Sequence, residues 1–186
     1  MGTPCTLDPL GSGNSSPYQK GEVLIEIAAP DAYTAQQTDV PQKGRYKVWI
    51  VGGKNDAYYC YYACNYSGSA AGYVGELYFN SRCRVSIEVG ALRQNSLVRI
   101  ADIGSDDWKT IIQANCGNSA TNAGGGGGGA LTITQDERVT FVQPPEVSSN
   151  GNRGASSGSC CAASVYGGYG TQNTTGYGKL QYIGSK

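Results

Sequence analysis

The sequence contains no histidine. This absence excludes Ser-His-Asp and Cys-His catalysis within one chain, and it excludes any metal site that needs an imidazole ligand. Charged residues are also scarce, at 15% of this chain against about 25% in an average globular protein. The formal net charge is zero. Because proteins that bind nucleic acid normally carry a clear basic excess, we expect no nucleic-acid partner.

Long apolar runs are missing as well. No stretch approaches the ~18 consecutive apolar residues that a membrane-spanning helix needs, so we expect no membrane insertion. The N-terminus, from Met1 to Thr6, has neither a basic region nor an apolar stretch, and it lacks the pattern of a secretory signal.

Glycine and tyrosine are the residues in excess. The chain of 186 residues has 28 glycines and 14 tyrosines, but only 2 phenylalanines and 1 methionine. Low charge with high glycine and tyrosine is unusual in a metabolic enzyme and favours a structural or surface-exposed assembly protein. We therefore predict a protein that is not an enzyme, with no catalytic residue, no cofactor and no metal site. The enzymatic alternative is a glycoside hydrolase with paired carboxylates, drawn from Glu76, Glu88, Asp102, Asp106 and Asp107.

Seven cysteines occur, at positions 5, 60, 64, 83, 116, 160 and 161. An odd number leaves at least one thiol free or paired between chains. Cys60 and Cys64 are close in sequence, but neither a CxxC pair nor a histidine completes a zinc site. Buried thiols that act as small hydrophobic side chains are the favoured interpretation. Disulfides, which need an oxidising location, and a four-thiolate site are the alternatives.

Short segments rich in β-branched and aromatic residues predict an all-β fold, a compact antiparallel sheet or sandwich. No segment sustains a helical apolar period over three turns. Residues 30–42 are polar, contain Pro41 and are predicted to form a loop. The predicted strands are 21–27, 46–51, 73–79, 84–89, 97–100, 131–134, 138–142 and 179–183, with 106–112 either a short strand or a helical turn.

Composition divides the chain into two parts. Residues 1–20 contain three prolines and many small polar residues, which predicts an irregular N-terminal arm. We assign residues 1–40, the arm with the first strand, to a docking or assembly segment. Residues 41–186 form a glycine-rich β domain.

Gly124, Gly125, Gly126, Gly127, Gly128 and Gly129 form the longest glycine tract. Such a run is often a flexible linker, but strand-like segments flank this one on both sides, which favours a tract embedded in the domain. Glycine can adopt the extended polyproline II form, here polyglycine II, which has no internal hydrogen bonds. Without side chains, neighbouring segments of this form can bond through their backbones. The candidate neighbours are 52–53, 68–75 and 167–170.

Several motifs follow one another in a characteristic order. A strand of the form G-x-Y-x-V-W-I-V-G-G occupies residues 44–53, and G-Y-x-G occupies 72–75. A strand ending in V-G then spans 85–90, the glycine tract follows, and G-Y-x-K-L-x-Y closes the series at 176–182. In this order the motifs resemble the glycine-rich domains of phage and prophage tail proteins. Such domains usually continue with a glycine run after the first motif. This chain differs, because its residues 54–66 are rich in tyrosine and cysteine instead.

The resemblance implies a structural or attachment role, because such domains occur in fibres, adhesins and other virion appendages. It implies no catalytic residue. We expect a virion protein, namely a tail appendage, fibre tip or decoration subunit. It would dock to other virion subunits through residues 1–40 and form a homo-oligomer. The alternatives are a subunit of a microbial extracellular filament or surface layer, and a carbohydrate-binding module that uses Trp49 or Trp108.

Exposed tyrosines are candidates for binding a host surface glycan or protein, because tyrosine offers a rigid amphipathic surface at low entropy cost. The alternative is that these rings pack against glycine backbone inside the core. The candidate residues are Tyr58, Tyr59, Tyr61, Tyr62, Tyr166 and Tyr169.

Overall fold

The structure, a computed structural model, describes residues 18–28, 30–40, 43–53, 58–60, 64–66, 69–118, 128–151, 156–157 and 176–185. Within these ranges the regular elements are β-strands, and none is a helix. The strands form two large antiparallel sheets, stacked face to face, and a small third sheet. The predicted all-β class and the antiparallel sandwich are confirmed.

The strands of the described residues are β1 (Val23–Ala28), β2 (Thr34–Val40), β3 (Gly44–Val51), β4 (Tyr58–Cys60), β5 (Cys64–Tyr66), β6 (Gly72–Phe79), β7 (Cys83–Val89), β8 (Ser96–Ala101), β9 (Lys109–Ala114), β10 (Leu131–Ile133), β11 (Val139–Phe141), β12 (Val147–Ser149), β13 (Ser156–Ser157) and β14 (Tyr177–Gly184). The first sheet has the order β1-β14-β3-β6-β11, and β12 also pairs with β6. The second sheet has the order β10-β9-β8-β7-β2, and the small sheet has the order β13-β5-β4.

Alternation along β3 shows how the sheets enclose the core. Tyr46, Val48 and Ile50 are fully buried, whereas Lys47 and Trp49 between them are half-buried on the outer face. Successive side chains of a strand point to opposite faces of its sheet, so every second residue of β3 points toward the second sheet. Burying each aliphatic side chain of this kind stabilises the fold by roughly 1.5–3 kcal/mol.

The two sheets approach closely where β14 passes over β7. A Cβ atom added at Gly178 would lie closer than 3.0 Å to the side chains of Ile87 and Val89. A side chain at this position would push the sheets apart, so the closing strand needs a glycine here.

The prediction of a loop over residues 30–42 is wrong for residues 34–40, which form β2. This strand pairs along its whole length with β7 and is an edge strand of the second sheet. Its sequence is polar because most of its side chains are exposed, and Val40 alone among them is buried. With β1 at an edge of the first sheet, residues 23–40 therefore contribute one edge strand to each large sheet.

The two ends of the sandwich differ in the length of their connections. The chain enters at residue 18 and leaves at residue 185 at one end, which we call the termini end, where residues 41–43, 80–82, 102–108 and 134–138 form short connections. The opposite end, which we call the glycine end, carries the connections 30–33 and 90–95. The described ends of the three longest excursions, 52–71, 115–130 and 150–176, also lie there.

An ion cluster ties two connections together at the termini end. Asp136 has a side chain only 4% exposed, and its Oδ1 accepts a hydrogen bond from Arg138 Nε at 2.8 Å. Lys109 Nζ lies 2.9 Å from Asp136 Oδ2, and Arg138 Nη1 donates to Asp102 Oδ1 at 2.8 Å. These contacts, above all the hydrogen bond from Arg138, hold the pKa of Asp136 well below its usual range.

We expect Asp136→Asn to lower the free energy of unfolding at pH 7 by about 1.5–3 kcal/mol, because charge-assisted hydrogen bonds are lost. The pKa of Asp136 is lower in the folded than in the unfolded chain. The stability that the Asp136 carboxylate contributes is therefore fully present above the unfolded pKa of about 4. It is lost as the pH falls below that value. Urea unfolding between pH 7 and pH 2 checks this, with the exposed Asp107→Asn as control. A difference between wild type and Asp136→Asn that stays constant down to pH 2 contradicts it.

Two core tyrosines bury polar atoms. Tyr46 packs edge-on against Phe79 and Tyr182, with ring centroids 5.1 and 5.2 Å apart. Tyr73 packs on Phe141 at 6.1 Å. Within the part of the chain that the structure describes, the hydroxyl groups of Tyr46 and Tyr73 have no hydrogen-bond partner. Burial raises the pKa of Tyr73 to about 12.

Tyr73→Phe is expected to raise the free energy of unfolding by about 1 kcal/mol, because it removes a buried hydroxyl group that has lost its bonds to water. Tyr177→Phe is the matched control. The Tyr177 hydroxyl donates to Glu26 Oε1 at 2.8 Å, so its loss should lower the free energy of unfolding by about 0.5–1.5 kcal/mol. Denaturant midpoints at an unchanged m-value measure both effects, and a lower midpoint for Tyr73→Phe would overturn the assignment.

Candidate functional site

The glycine end is built from backbone hydrogen bonds between segments that are not strands. The N–H of Gly52 donates to the carbonyl oxygen of Ala71 at 3.0 Å. The N–H of Ala71 donates to the carbonyl oxygen of Asn115 at 2.9 Å. The N–H of Asn115 donates in turn to Ala130 at 3.0 Å. The first and third bonds extend the β3–β6 and β9–β10 pairings beyond the strand ends, and the bond from Ala71 to Asn115 joins the two large sheets.

A second set of bonds joins the remaining segments. The N–H of Gly129 donates to the carbonyl oxygen of Ser69 at 2.9 Å. The N–H of Gly151 donates to the carbonyl oxygen of Gly129 at 2.7 Å. The N–H of Gly53 donates to Gln94 at 2.9 Å. All three long excursions therefore start or return within one hydrogen-bonded group of backbone segments.

Glycine is required here because no room exists for a Cβ atom. A Cβ added at Gly52 would lie 2.5 Å from the carbonyl oxygen of Asn115. Real Cβ atoms essentially never come closer than 3.0 Å to another heavy atom, so any side chain would force the segments apart. The same clash with backbone carbonyl oxygens occurs at Gly53, Gly90, Gly129, Gly151 and Gly176.

Asparagine side chains complete the bonding of this end. Asn95 Oδ1 accepts from the N–H of Cys116 at 3.1 Å, and Asn150 Oδ1 accepts from the N–H of Leu131 at 2.7 Å. Burial raises the pKa of the Cys116 thiol. The site is thus formed by peptide groups and neutral side chains, and its chemistry is that of close backbone packing.

The small sheet links two of the long excursions. β4 and β5 belong to the excursion 52–71 and pair with each other, with Tyr58 opposite Tyr66. β13 belongs to the excursion 150–176 and pairs with β5, with Ser156 opposite Asn65. Segments that are about ninety residues apart in sequence therefore share one sheet.

The structure describes part of the predicted site. Gly129 is buried in the hydrogen-bonded group, and Gly128 beside it is half-buried. Tyr58 and Tyr59 lie in β4. The remaining predicted residues, Gly124, Gly125, Gly126, Gly127, Tyr61, Tyr62, Tyr166 and Tyr169, lie outside the described residues.

Sequence reasoning missed the role of three further glycines. Gly90 follows β7 directly, Gly176 precedes β14 directly, and Gly151 comes two residues after β12. That position at the end of a strand is a signal, but it is weak in a chain with 28 glycines. Nothing in the sequence indicates that their segments meet.

Both tryptophans are covered by cations on the outer faces of the sheets. Lys47 Nζ and Lys179 Nζ lie 5.0 and 5.2 Å from the ring centroid of Trp49. The guanidinium of Arg84 lies 4.9 Å from the ring centroid of Trp108.

The carboxylates of the enzymatic alternative are spread over three places. Glu76 lies on the first sheet and accepts from Arg45 Nε at 3.0 Å. Glu88 lies on the second sheet, where Arg99 Nη1 donates to it at 3.1 Å, and Asp102 belongs to the ion cluster. In the described ranges no group of three or more acidic or thiol side chains is placed to hold a metal ion. The same ranges hold no helix long and apolar enough to cross a membrane.

Comparisons of the chain with protein-family models, with curated proteins and with solved structures found no match in any of the three.

We expect Gly53→Ala to lower the free energy of unfolding by about 1–3 kcal/mol, because overpacking moves backbone or distorts it. Gly44→Ala at the termini end is the matched control, since its added Cβ would lie 3.1 Å from the nearest atom. Denaturant unfolding of both variants measures the difference. Equal midpoints for Gly53→Ala and wild type would show that the segments at the glycine end can separate without cost.

Proposed function

We propose that the protein is a non-enzymatic virion structural protein, a tail appendage, fibre tip or decoration subunit. The observation that carries the proposal is the difference between the two ends of the sandwich. The described chain enters and leaves at the termini end, while the described ends of the three longest excursions lie at the opposite end. We expect this arrangement in a subunit that is anchored at one end and binds through its long connections at the other.

Anchoring is assigned to the N-terminal segment. Residues 1–17 join the sandwich at Tyr18, whose hydroxyl donates to the carbonyl oxygen of Asp39 at 2.9 Å. The ring of Tyr18 lies 6.1 Å from that of Tyr182. Residues 1–17 therefore connect to the fold at the termini end, and we assign to them the contact with a neighbouring virion subunit.

Attachment is assigned to the glycine end. Loops carry binding residues when a rigid scaffold positions them, and the buried glycines provide such a scaffold. The excursions 52–71 and 150–176 contain all six candidate tyrosines. These tyrosines would contact a host surface glycan or protein in a homo-oligomer located at the virion.

Light scattering on the purified chain, with negative-stain images of the same sample, tests the proposal against the filament alternative. We expect a discrete closed oligomer or a folded monomer, because a fibre tip or decoration closes its contacts or needs a particle partner. Long filaments of constant width would contradict the proposal and favour the extracellular filament.

The orientation is tested on particles. An epitope tag inserted at residues 119–127, in the excursion whose described ends lie at the glycine end, should bind gold-labelled antibody on intact virions. The same tag placed before residue 1 should react on the isolated protein but be shielded on the particle. The opposite pattern of labelling, or no labelling of virions by an antibody against the whole chain, would overturn the proposal.

A further inference from the structure

The small sheet places two cysteines directly opposite each other. β4 and β5 are antiparallel, and Cys60 is the register partner of Cys64. Opposed residues in antiparallel strands have Cα atoms about 4.5–5.5 Å apart. This separation falls inside the range of about 4.4–6.8 Å that a disulfide needs. The register of the hairpin thus meets the backbone requirement for a bond between these two residues.

The other cysteines of the described residues are placed differently. Cys83 is fully buried in the core near the termini end, and Cys116 follows β9 at the glycine end. They therefore lie at opposite ends of the sandwich and cannot bond to each other. Burial also raises the pKa of Cys83 to about 12, which leaves little reactive thiolate.

We propose that Cys60 and Cys64 form an intramolecular disulfide that closes the β4–β5 hairpin. The reaction is thiol–disulfide exchange with a small disulfide such as oxidised glutathione. One cysteine thiolate attacks the oxidant and releases one glutathione thiolate. The second cysteine thiolate attacks the mixed disulfide, forms the Cys60–Cys64 bond and releases the second. Two protein thiols are oxidised, and one glutathione disulfide is reduced to two glutathiones.

The bond fixes the ends of residues 61–63, which include Tyr61 and Tyr62. Fixing a loop before it binds lowers the entropy cost of binding. If the proposed attachment function is correct, the disulfide prepares these two tyrosines for contact with the host surface. The bond itself does not depend on that function, because its formation needs only the hairpin and an oxidant.

A different pairing competes with this one. Ser157 in β13 is the register partner of Cys64, and the chain continues from it to Cys160 and Cys161. A bond from Cys64 to either of these would join β5 to the excursion 150–176 instead. The experiment must therefore identify the partner and not only count thiols.

The full chain is equilibrated with excess oxidised over reduced glutathione, quenched in acid and treated with N-ethylmaleimide. Trypsin cuts after Lys54 and Arg82, and the peptide 55–82 contains Cys60 and Cys64 as its two cysteines. We expect this peptide to carry no maleimide and to be lighter by two hydrogen atoms than its reduced form. Chymotrypsin, which cuts after Tyr61 and Tyr62, should leave the two halves joined until a reductant is added.

Cys116→Ser is the matched control and should leave the peptide map unchanged. Cys60→Ser and Cys64→Ser should each leave the remaining cysteine of peptide 55–82 outside any protein disulfide, carrying either one maleimide or one glutathione. Maleimide on both cysteines of the wild-type peptide would overturn the proposal. So would a cross-link from Cys64 to the peptide with Cys160 and Cys161, or a covalent dimer between chains. None of these outcomes bears on where the protein is located in a particle, so the proposed function is judged separately by antibody labelling.

Discussion

Close approach of backbone to backbone at the glycine end is the constraint on which the rest of the structure depends. Carbonyl oxygens of neighbouring segments occupy the space that a Cβ atom would need at Gly53, Gly129 and Gly151. Ordering a glycine costs more conformational entropy than ordering any other residue. Here the interlocking hydrogen bonds between six segments offset that cost. The chain can therefore pass this end repeatedly while both large sheets stay in register.

The termini end is held together by different interactions. Rings of Tyr46, Phe79 and Tyr182 fill the core there, and charged groups around Asp136 join two connections at the surface. Large side chains and ion pairs support short turns, while glycines at the other end support long excursions. This contrast between the two ends is the structural difference on which the proposed roles of the two ends rest.

Much of the sandwich could be predicted from the sequence, because its central strands have both β-branched residues and alternation. β3 and β6 were predicted within two residues of their ends. β2 was not, because Gln36, Gln37 and Asp39 are exposed on an edge strand and lack an apolar signal. β12 was missed because three residues beside two prolines have no period to detect. Which glycines meet could not be predicted, since contacts between distant segments depend on the register of both sheets.

The hydrogen-bonded starts and returns of the excursions have a consequence for how such a chain can change. Gly52 is bonded to Ala71, and Asn115 is bonded to Ala130, so the two ends of the excursions 52–71 and 115–130 are already neighbours. Lengthening a loop whose ends are fixed costs only about 0.6 kcal/mol for each doubling of its length. Insertions or deletions between the bonded ends of these excursions should therefore cost the sheets little, as long as the glycines that pack against neighbouring backbone are kept.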